Sequence, residues 1–249
     1  MTYQGGKQKF IKVIVPYINQ YIKDHNIENF YDMCCGGFNV GSNVECKNIY
    51  GNDLSPTLIA LLKQAQEDFS KICLNESREQ WDRCYSEYKK IRSNNFEGSE
   101  IPLAEIGACE WLCSYSGRGF PGGYGVISRG RSQFSERLRN LERQSKLEGF
   151  KKAIFTCKSY EEIEILPNSL LYFDAPYQGV KPYGISPHFN YTEYYNFLMQ
   201  TAKKFPIFIS EQSIPDDIPA QVIWRREVNR DIGKGFKAQE TLYFLDLRK

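Results

Sequence analysis

The tightest constraint on how this chain folds is an alternation near its start: helix, strand, glycine loop, strand, acid, helix. Phe10, Ile11, Ile14, Val15, Ile18 and Ile22 recur at helical spacing over residues 9 to 23. Pro16 sits inside that run and predicts a kink or an early break. Asn29-Phe30-Tyr31-Asp32-Met33-Cys34 reads as a short strand. It enters Cys35-Gly36-Gly37-Phe38-Asn39-Val40-Gly41-Ser42-Asn43, a loop with three glycines. Asn48 to Asn52 is a second strand, ending at Asp53. Ser55-Pro56 then opens a helix, with the serine as N-cap and the proline at the first helical position. Strands separated in this way by helices call for a mainly parallel sheet, an α/β fold.

The alternation resumes after a long interruption. Ala153 to Cys157 and Leu170-Leu171-Tyr172-Phe173, which ends at Asp174, read as strands. Tyr191 to Lys204 reads as a helix and Ile207 to Ser210 as a strand. Two β-rich runs close the chain, Gln221 to Val228 and Thr241 to Leu247, joined through Gly233 and Gly235 as an antiparallel hairpin. The interruption differs in character. Residues 75–100 are polar and charged, Glu105 to Cys113 suits a short helix, and residues 114–125 are too rich in glycine for any regular element. The expected organisation is one domain built from 1–63 and 151–249, with 64–150 inserted into it. A length of 249 residues accommodates a large domain with such a subdomain, and 41% hydrophobic residues exclude a disordered chain.

The net charge of +2 conceals a local asymmetry. Arg118, Arg129, Arg131, Arg137, Arg139, Arg143, Lys146, Lys151 and Lys152 face only Glu136, Glu142 and Glu148. Such a run suits phosphate contacts, and equally the solvated face of a helix. The eight cysteines include no CxxC pair, and the two histidines lie at no zinc spacing, so reduced thiols and no metal site are expected. No apolar stretch reaches membrane-spanning length and the N-terminus has no secretory character, which points to a soluble, cytoplasmic protein with no membrane partner.

Leu171-Tyr172-Phe173-Asp174-Ala175-Pro176-Tyr177 carries the clearest chemical signal. A buried strand delivers a carboxylate, then a rigid turn, then an aromatic ring, at the edge where α/β sheets bind ligands. The Asp174 carboxylate and the Ala175 carbonyl can accept hydrogen bonds from the exocyclic amine of a planar base, Pro176 fixes the backbone, and Tyr177 offers a stacking face. A base reaching such a pocket has left its helix. The same residues also suit an ordinary strand-end turn with a solvated aspartate. Gly36, Gly37 and Gly41 would let the backbone approach a nucleoside, with Asp53 17 residues after Gly36 to bind ribose hydroxyls. A tight structural turn is the alternative. Tyr3-Gln4-Gly5-Gly6-Lys7 reads alone as a mobile terminus.

Taken together and in this order, these segments resemble the Dam-like N6-adenine DNA methyltransferases, phage-borne members included. In that family an aromatic-x-GGK segment opens the chain, a glycine loop and an acid after the second strand hold S-adenosylmethionine, and a DPPY motif holds the target adenine. Cys113 to Phe120 and Ile209-Ser210-Glu211-Gln212 extend the resemblance. It implies a Rossmann-like methyltransferase fold, with Tyr3, Gly6, Lys7, Asp32, Gly36 and Asp53 at the cofactor and Asp174, Ala175, Pro176 and Tyr177 in catalysis. Two departures stand out: Ala175 replaces a proline, and Phe38 stands where a second spaced glycine is usual. The implied partner is double-stranded DNA, with 64–150 as the target-recognition insertion and Arg118, Phe120, Tyr124, Arg129 and Arg131 at the nucleic acid. Lys181-Pro182-Tyr183 and Asn190-Tyr191 would line the base pocket. A restriction endonuclease partner is compatible with such an enzyme. No cysteine follows a proline, which argues against cytosine-C5 chemistry. Cytosine-N4 methylation, a silent DNA-binding protein of the same fold, and a nicotinamide oxidoreductase are the rival readings.

Overall fold

The computed structural model describes residues 5–72, 76–125, 127–128, 131–177, 189–229 and 237–248. Seven strands form its main sheet: β1 (Asn29–Asp32), β2 (Asn48–Asn52), β3 (Ile154–Thr156), β4 (Ser169–Phe173), β5 (Ile207–Glu211), β6 (Gln221–Asn229) and β7 (Lys237–Leu245). The helices among the described residues are α1 (Ile11–Asp24), α2 (Pro56–Glu67), α3 (Arg78–Arg92), α4 (Leu103–Leu112), α5 (Gln133–Ser145), α6 (Glu148–Lys151) and α7 (Tyr191–Thr201). The strands lie in the order β3-β2-β1-β4-β5-β7-β6. From β3 to β5 every pairing is parallel. β7 runs antiparallel to both its neighbours. The terminal hairpin read from the sequence is therefore present, with its second strand wedged between β5 and the first. This is a Rossmann-like, doubly wound sheet.

β1, β4 and β5 are buried at every position, as strands covered by layers on both faces must be. Alternate side chains divide between two cores. Phe30, Leu170, Tyr172 and Phe208 face a core shared with α1, α2 and the insertion. Tyr31, Leu171, Phe173, Ile207 and Ile209 face the other, which α7 covers with Tyr194, Tyr195 and Leu198.

Two helices differ from the sequence reading. α1 runs unbroken through Pro16. The proline lies on the exposed side, where a carbonyl deprived of its helical donor can meet water, so the predicted break does not occur. α3 was hidden by the polar composition of residues 75–100. It starts at Ser77, whose hydroxyl accepts from the Gln80 amide at 3.1 Å, and turns Trp81, Cys84, Tyr88 and Ile91 inward. That stripe advances in steps of three and four residues among charges. α2 begins as read, with the Ser55 hydroxyl accepting from the Leu58 amide at 3.3 Å.

The insertion is fastened to the sheet domain through α2, whose last turn contains the expected boundary at residue 64. α4 approaches it at backbone distance: a Cβ on Gly107 would stand 2.1 Å from the Thr57 carbonyl oxygen. The Thr57 hydroxyl donates to Glu110 at 2.6 Å, and burial pushes that carboxyl up to about 7. Phe150, at the far end of the insertion, meets Phe38 and Phe155 edge-on. Residues 64–150 thus share a continuous core with the sheet.

The close approach at Gly107 generates a test. Gly107→Ala should cost about 1–3 kcal/mol, because two helix backbones must part to admit one methyl group. The check is the midpoint of urea unfolding against that of wild type.

Candidate active site

The chain order reverses between β1 and β4, which leaves a crevice at their carboxyl ends. Asp32 is the last residue of β1, Asp53 follows β2, and Asp174 follows β4. The first two brace the glycine loop. Asp32 Oδ2 accepts from the Gly41 amide at 3.1 Å. Asp53 Oδ2 accepts from the Gly36 amide at 3.0 Å, and its Oδ1 from the Ser55 amide at 2.9 Å. Burial raises both carboxyls above the ordinary aspartate range, Asp32 the more strongly, while the amides pull them back. Asn52 ties the strand ends together, donating to the Met33 and Lys158 carbonyls and accepting from the Thr156 hydroxyl.

Inside the loop, the departure at Phe38 has a physical account. Its φ is +55°, a left-handed conformation that glycine adopts freely and that costs other residues about 1–2 kcal/mol. The ring is fully buried between Phe150 and Phe155, which offsets that cost. A Cβ on Gly41 would fall 2.1 Å from this ring, and one on Gly51 would fall 2.9 Å from it. Gly41 was expected to admit a ligand; it instead makes room for phenylalanine. Gln144 of α5 closes the loop from the insertion, donating to the Gly37 and Phe38 carbonyls at 2.8 Å each.

Leu54, which the sequence reading overlooked, stands 49% exposed beside Asp53. An apolar side chain left open next to a strand-end carboxylate fits the base and the diol of a nucleoside. Its position directly after Asp53 was the available signal. Asp53, Leu54 and the Gly36 turn therefore suit a nucleoside-like ligand, while Asp32 supports the loop from beneath.

The third carboxylate belongs to a different cluster. Lys7, in a 3₁₀ turn before α1, is 3% exposed. Its ammonium donates to Asp174 Oδ1 at 2.5 Å and to the Gly5 carbonyl at 3.0 Å, and it stands 3.6 Å from Glu240 Oε1. It also lies 4.7 Å above the Tyr177 ring. The Tyr177 hydroxyl donates to Glu240 at 2.6 Å, and Tyr191 donates to the Tyr177 carbonyl at 3.0 Å. Burial lowers the Lys7 pKa, but Asp174 and Glu240 outweigh it and the net shift is upward. Burial pushes Asp174 up to about 6, with Lys7 opposing and Glu240 adding. Ala175 is buried among the residues under α7. Lys7, read as a cofactor contact, is paired with Asp174; Gly6 precedes it in extended conformation. Glu240, on β7, was missed altogether. A charge in register with inward-facing Leu242 was the signal. Tyr3 and Lys181 to Tyr183 lie outside the described residues.

The nucleic-acid candidates separate. Phe120 is 2% exposed and meets Trp81, Tyr85 and Tyr88, so it is a core anchor of its loop and cannot enter a groove. Arg118 is exposed, its guanidinium 5.9 Å from the centre of the Tyr115 ring, which is itself 52% exposed. Tyr124 is half-buried and bridges Ser114. Arg129 lies outside the described residues. Arg131 belongs to a two-residue antiparallel pairing with 127–128. Arg137, counted in the basic run, is buried and donates to the Leu112 and Ser114 carbonyls and to Gln133.

Sheet order, a strand-end acid in the crevice and the D-x-P-Y turn define a Rossmann-like methyltransferase. The chain belongs to the D12 class N6 adenine-specific DNA methyltransferase family, whose sequence model matches residues 3–205. It is 26% identical over 194 residues to the modification methylase StsI of Streptococcus sanguinis, covering 71% of this chain and 28% of that protein. It is 27% identical over 198 residues to the type II methyltransferase M.FokI of Planomicrobium okeanokoites, with the same two coverages. The chain thus spans about 28% of the length of these relatives. Among solved structures, the rRNA methyltransferase aviRa of Streptomyces viridochromogenes aligns over 87% of this chain and 76% of its own, with a TM-score of 0.32 and 11% identity. Among the described residues no helix is long and apolar enough to cross a membrane.

The Gln144 clamp can be tested without any ligand. Gln144→Ala removes the side-chain donor from the Gly37 carbonyl and one of two donors from the Phe38 carbonyl, which keeps the Ser42 amide, and should cost about 1–3 kcal/mol. Faster hydrogen exchange in the 36–43 amides, with exchange in the β4 amides unchanged, is the expected pattern.

Proposed function

We propose that this chain transfers a methyl group from S-adenosylmethionine to the N6 of an adenine in double-stranded DNA, with the base turned out of the helix. The observation that carries the reading is Asp174 in the switch-point crevice, beside the loop that Asp32 and Asp53 brace. The cofactor, when bound, supplies an activated methyl carbon on a sulfonium. Asp174 accepts a hydrogen bond from the adenine amine, which turns the nitrogen lone pair out of conjugation and toward that carbon. The carboxylate would stabilise the positive charge that develops on nitrogen as it takes the methyl group, the sulfonium S–C bond breaking and the sulfur leaving as a neutral thioether. It also lies within reach of the proton that nitrogen then sheds. Tyr177 presents its ring to the base, Pro176 stiffens the turn, and the buried Ala175 supplies the main-chain carbonyl. Catalysis rests on positioning and electrostatics, with no covalent intermediate on the protein.

Residues 64–150 form the target-recognition insertion in this reading. Arg118, Tyr124 and the exposed Tyr115 present its loop to DNA, and Arg129 and Arg131 are assigned as phosphate contacts from their place in the sequence. An endonuclease that cuts the unmodified site would be a partner of the same proposal.

Four outcomes are expected. Methylation of DNA, followed by hydrolysis and mass analysis, should give N6-methyladenine; N4-methylcytosine alone would overturn the substrate. Asp174→Ala should abolish transfer and leave DNA binding intact. Because only the ionised Asp174 offsets the charge developing on nitrogen and can take its proton, and its carboxyl lies at about 6, the rate should be flat above that pH. Below it the rate should fall about tenfold per unit. Arg118→Ala should weaken binding evenly across sequences and reduce the salt slope by about one.

A further inference from the structure

We propose that Glu240 is a positioning residue of this site: it holds the Lys7 ammonium and the Tyr177 hydroxyl so that Asp174 is released to the target amine. The proposal rests on the methyltransferase reading above. Glu240 lies beyond residues 3–205, the stretch matched to the family, and the role is argued from this chain's own geometry.

Lys7 occupies the acceptor that the amine needs, since its ammonium donates to Asp174 Oδ1 at 2.5 Å. An ammonium has three donors and no way to shed its charge into a buried site cheaply. With Asp174 as its sole anion, it would be stranded whenever a base took over the carboxylate. Glu240 supplies a second anion on the other side. A shift of Lys7 from 3.6 Å to hydrogen-bond length at Glu240 Oε1 keeps the ammonium paired throughout. The same oxygen takes the Tyr177 hydroxyl at 2.6 Å, and Tyr191 holds the Tyr177 carbonyl at 3.0 Å. The ring meant to stack on the base is thus gripped at both ends.

Glu240 also sets the charge that Asp174 experiences. The groups facing Asp174 are Lys7 from the first turn, Glu240 from β7, Asp32 from β1 and Tyr172 from its own strand. Tyr177 from its own turn, Cys34 from the glycine loop and Tyr194 from α7 join them among the described residues. The tyrosines and the cysteine are all raised by burial and stay neutral. Glu240 pushes the Asp174 carboxyl upward. A residue that merely filled space would leave that titration unmoved.

The experiment uses the full chain as wild type, Glu240→Gln and Glu240→Asp. Glutamine keeps an acceptor for Tyr177 and removes the charge; aspartate keeps the charge and shortens the reach. Carbon-13 titration of Asp174 in the cofactor-free protein should move to lower pH in Glu240→Gln and stay near wild type in Glu240→Asp. With tritiated S-adenosylmethionine and DNA, Glu240→Gln should lower kcat about tenfold, with KM values within about twofold and the acid limb moved down. Glu240→Asp should lower kcat without moving the limb, and it carries the test if the glutamine variant fails to fold. Wild-type kcat and an unmoved Asp174 titration in Glu240→Gln, or wild-type kcat in Glu240→Asp, overturn the role of Glu240 while the functional reading stands. No transfer by the wild type to any DNA would remove that reading, and this proposal with it.

Discussion

One buried ammonium between two carboxylates joins three parts of the chain that lie far apart in sequence. Lys7 comes from the turn before α1, Asp174 from the end of β4, and Glu240 from β7. None of the three is stable there alone, since an unpaired charge in such surroundings costs several kcal/mol. Together they oblige the first turn to dock against the sheet and fix the strand ends that frame the crevice. Tyr172, bonded to Ser210 at 2.8 Å, stiffens the β4–β5 side of the same frame.

The glycine-loop half of the crevice is built on a separate principle. There the carboxylates are satisfied by main-chain amides of the glycine loop, so the loop's shape is set by hydrogen bonds from β1 and β2. Phe38 then fastens the loop from below and Gln144 from the side. Both reach toward the insertion, one by packing on Phe150 and the other as part of α5. Loop and insertion are one mechanical unit in consequence.

Much of this was legible in the sequence. The strand-end acids, the Ser55 cap and the Asp174 turn each announce themselves locally, because the side chain and the backbone it serves lie within a few residues. What escaped was set by distance or by burial. Glu240 and Lys7 find each other across more than two hundred residues, and periodicity carries no record of such a meeting. Phe120 was misplaced because an aromatic ring in a glycine-rich loop looks available until Trp81, Tyr85 and Tyr88 are seen to surround it. α3 hid its apolar stripe among charges, and Pro16 falls on the one side of α1 where its missing donor does little harm.

The wedge position of β7 carries a consequence for the order in which the molecule is made. β6 precedes it in the chain yet, among the described residues, is paired in the sheet with β7 alone, so among them β6 has no strand to pair with until β7 has been made. Glu240 travels on that same segment. A nascent chain can therefore shape the glycine-loop side of the crevice before β7 is made, while the Lys7–Asp174–Glu240 cluster waits for that strand.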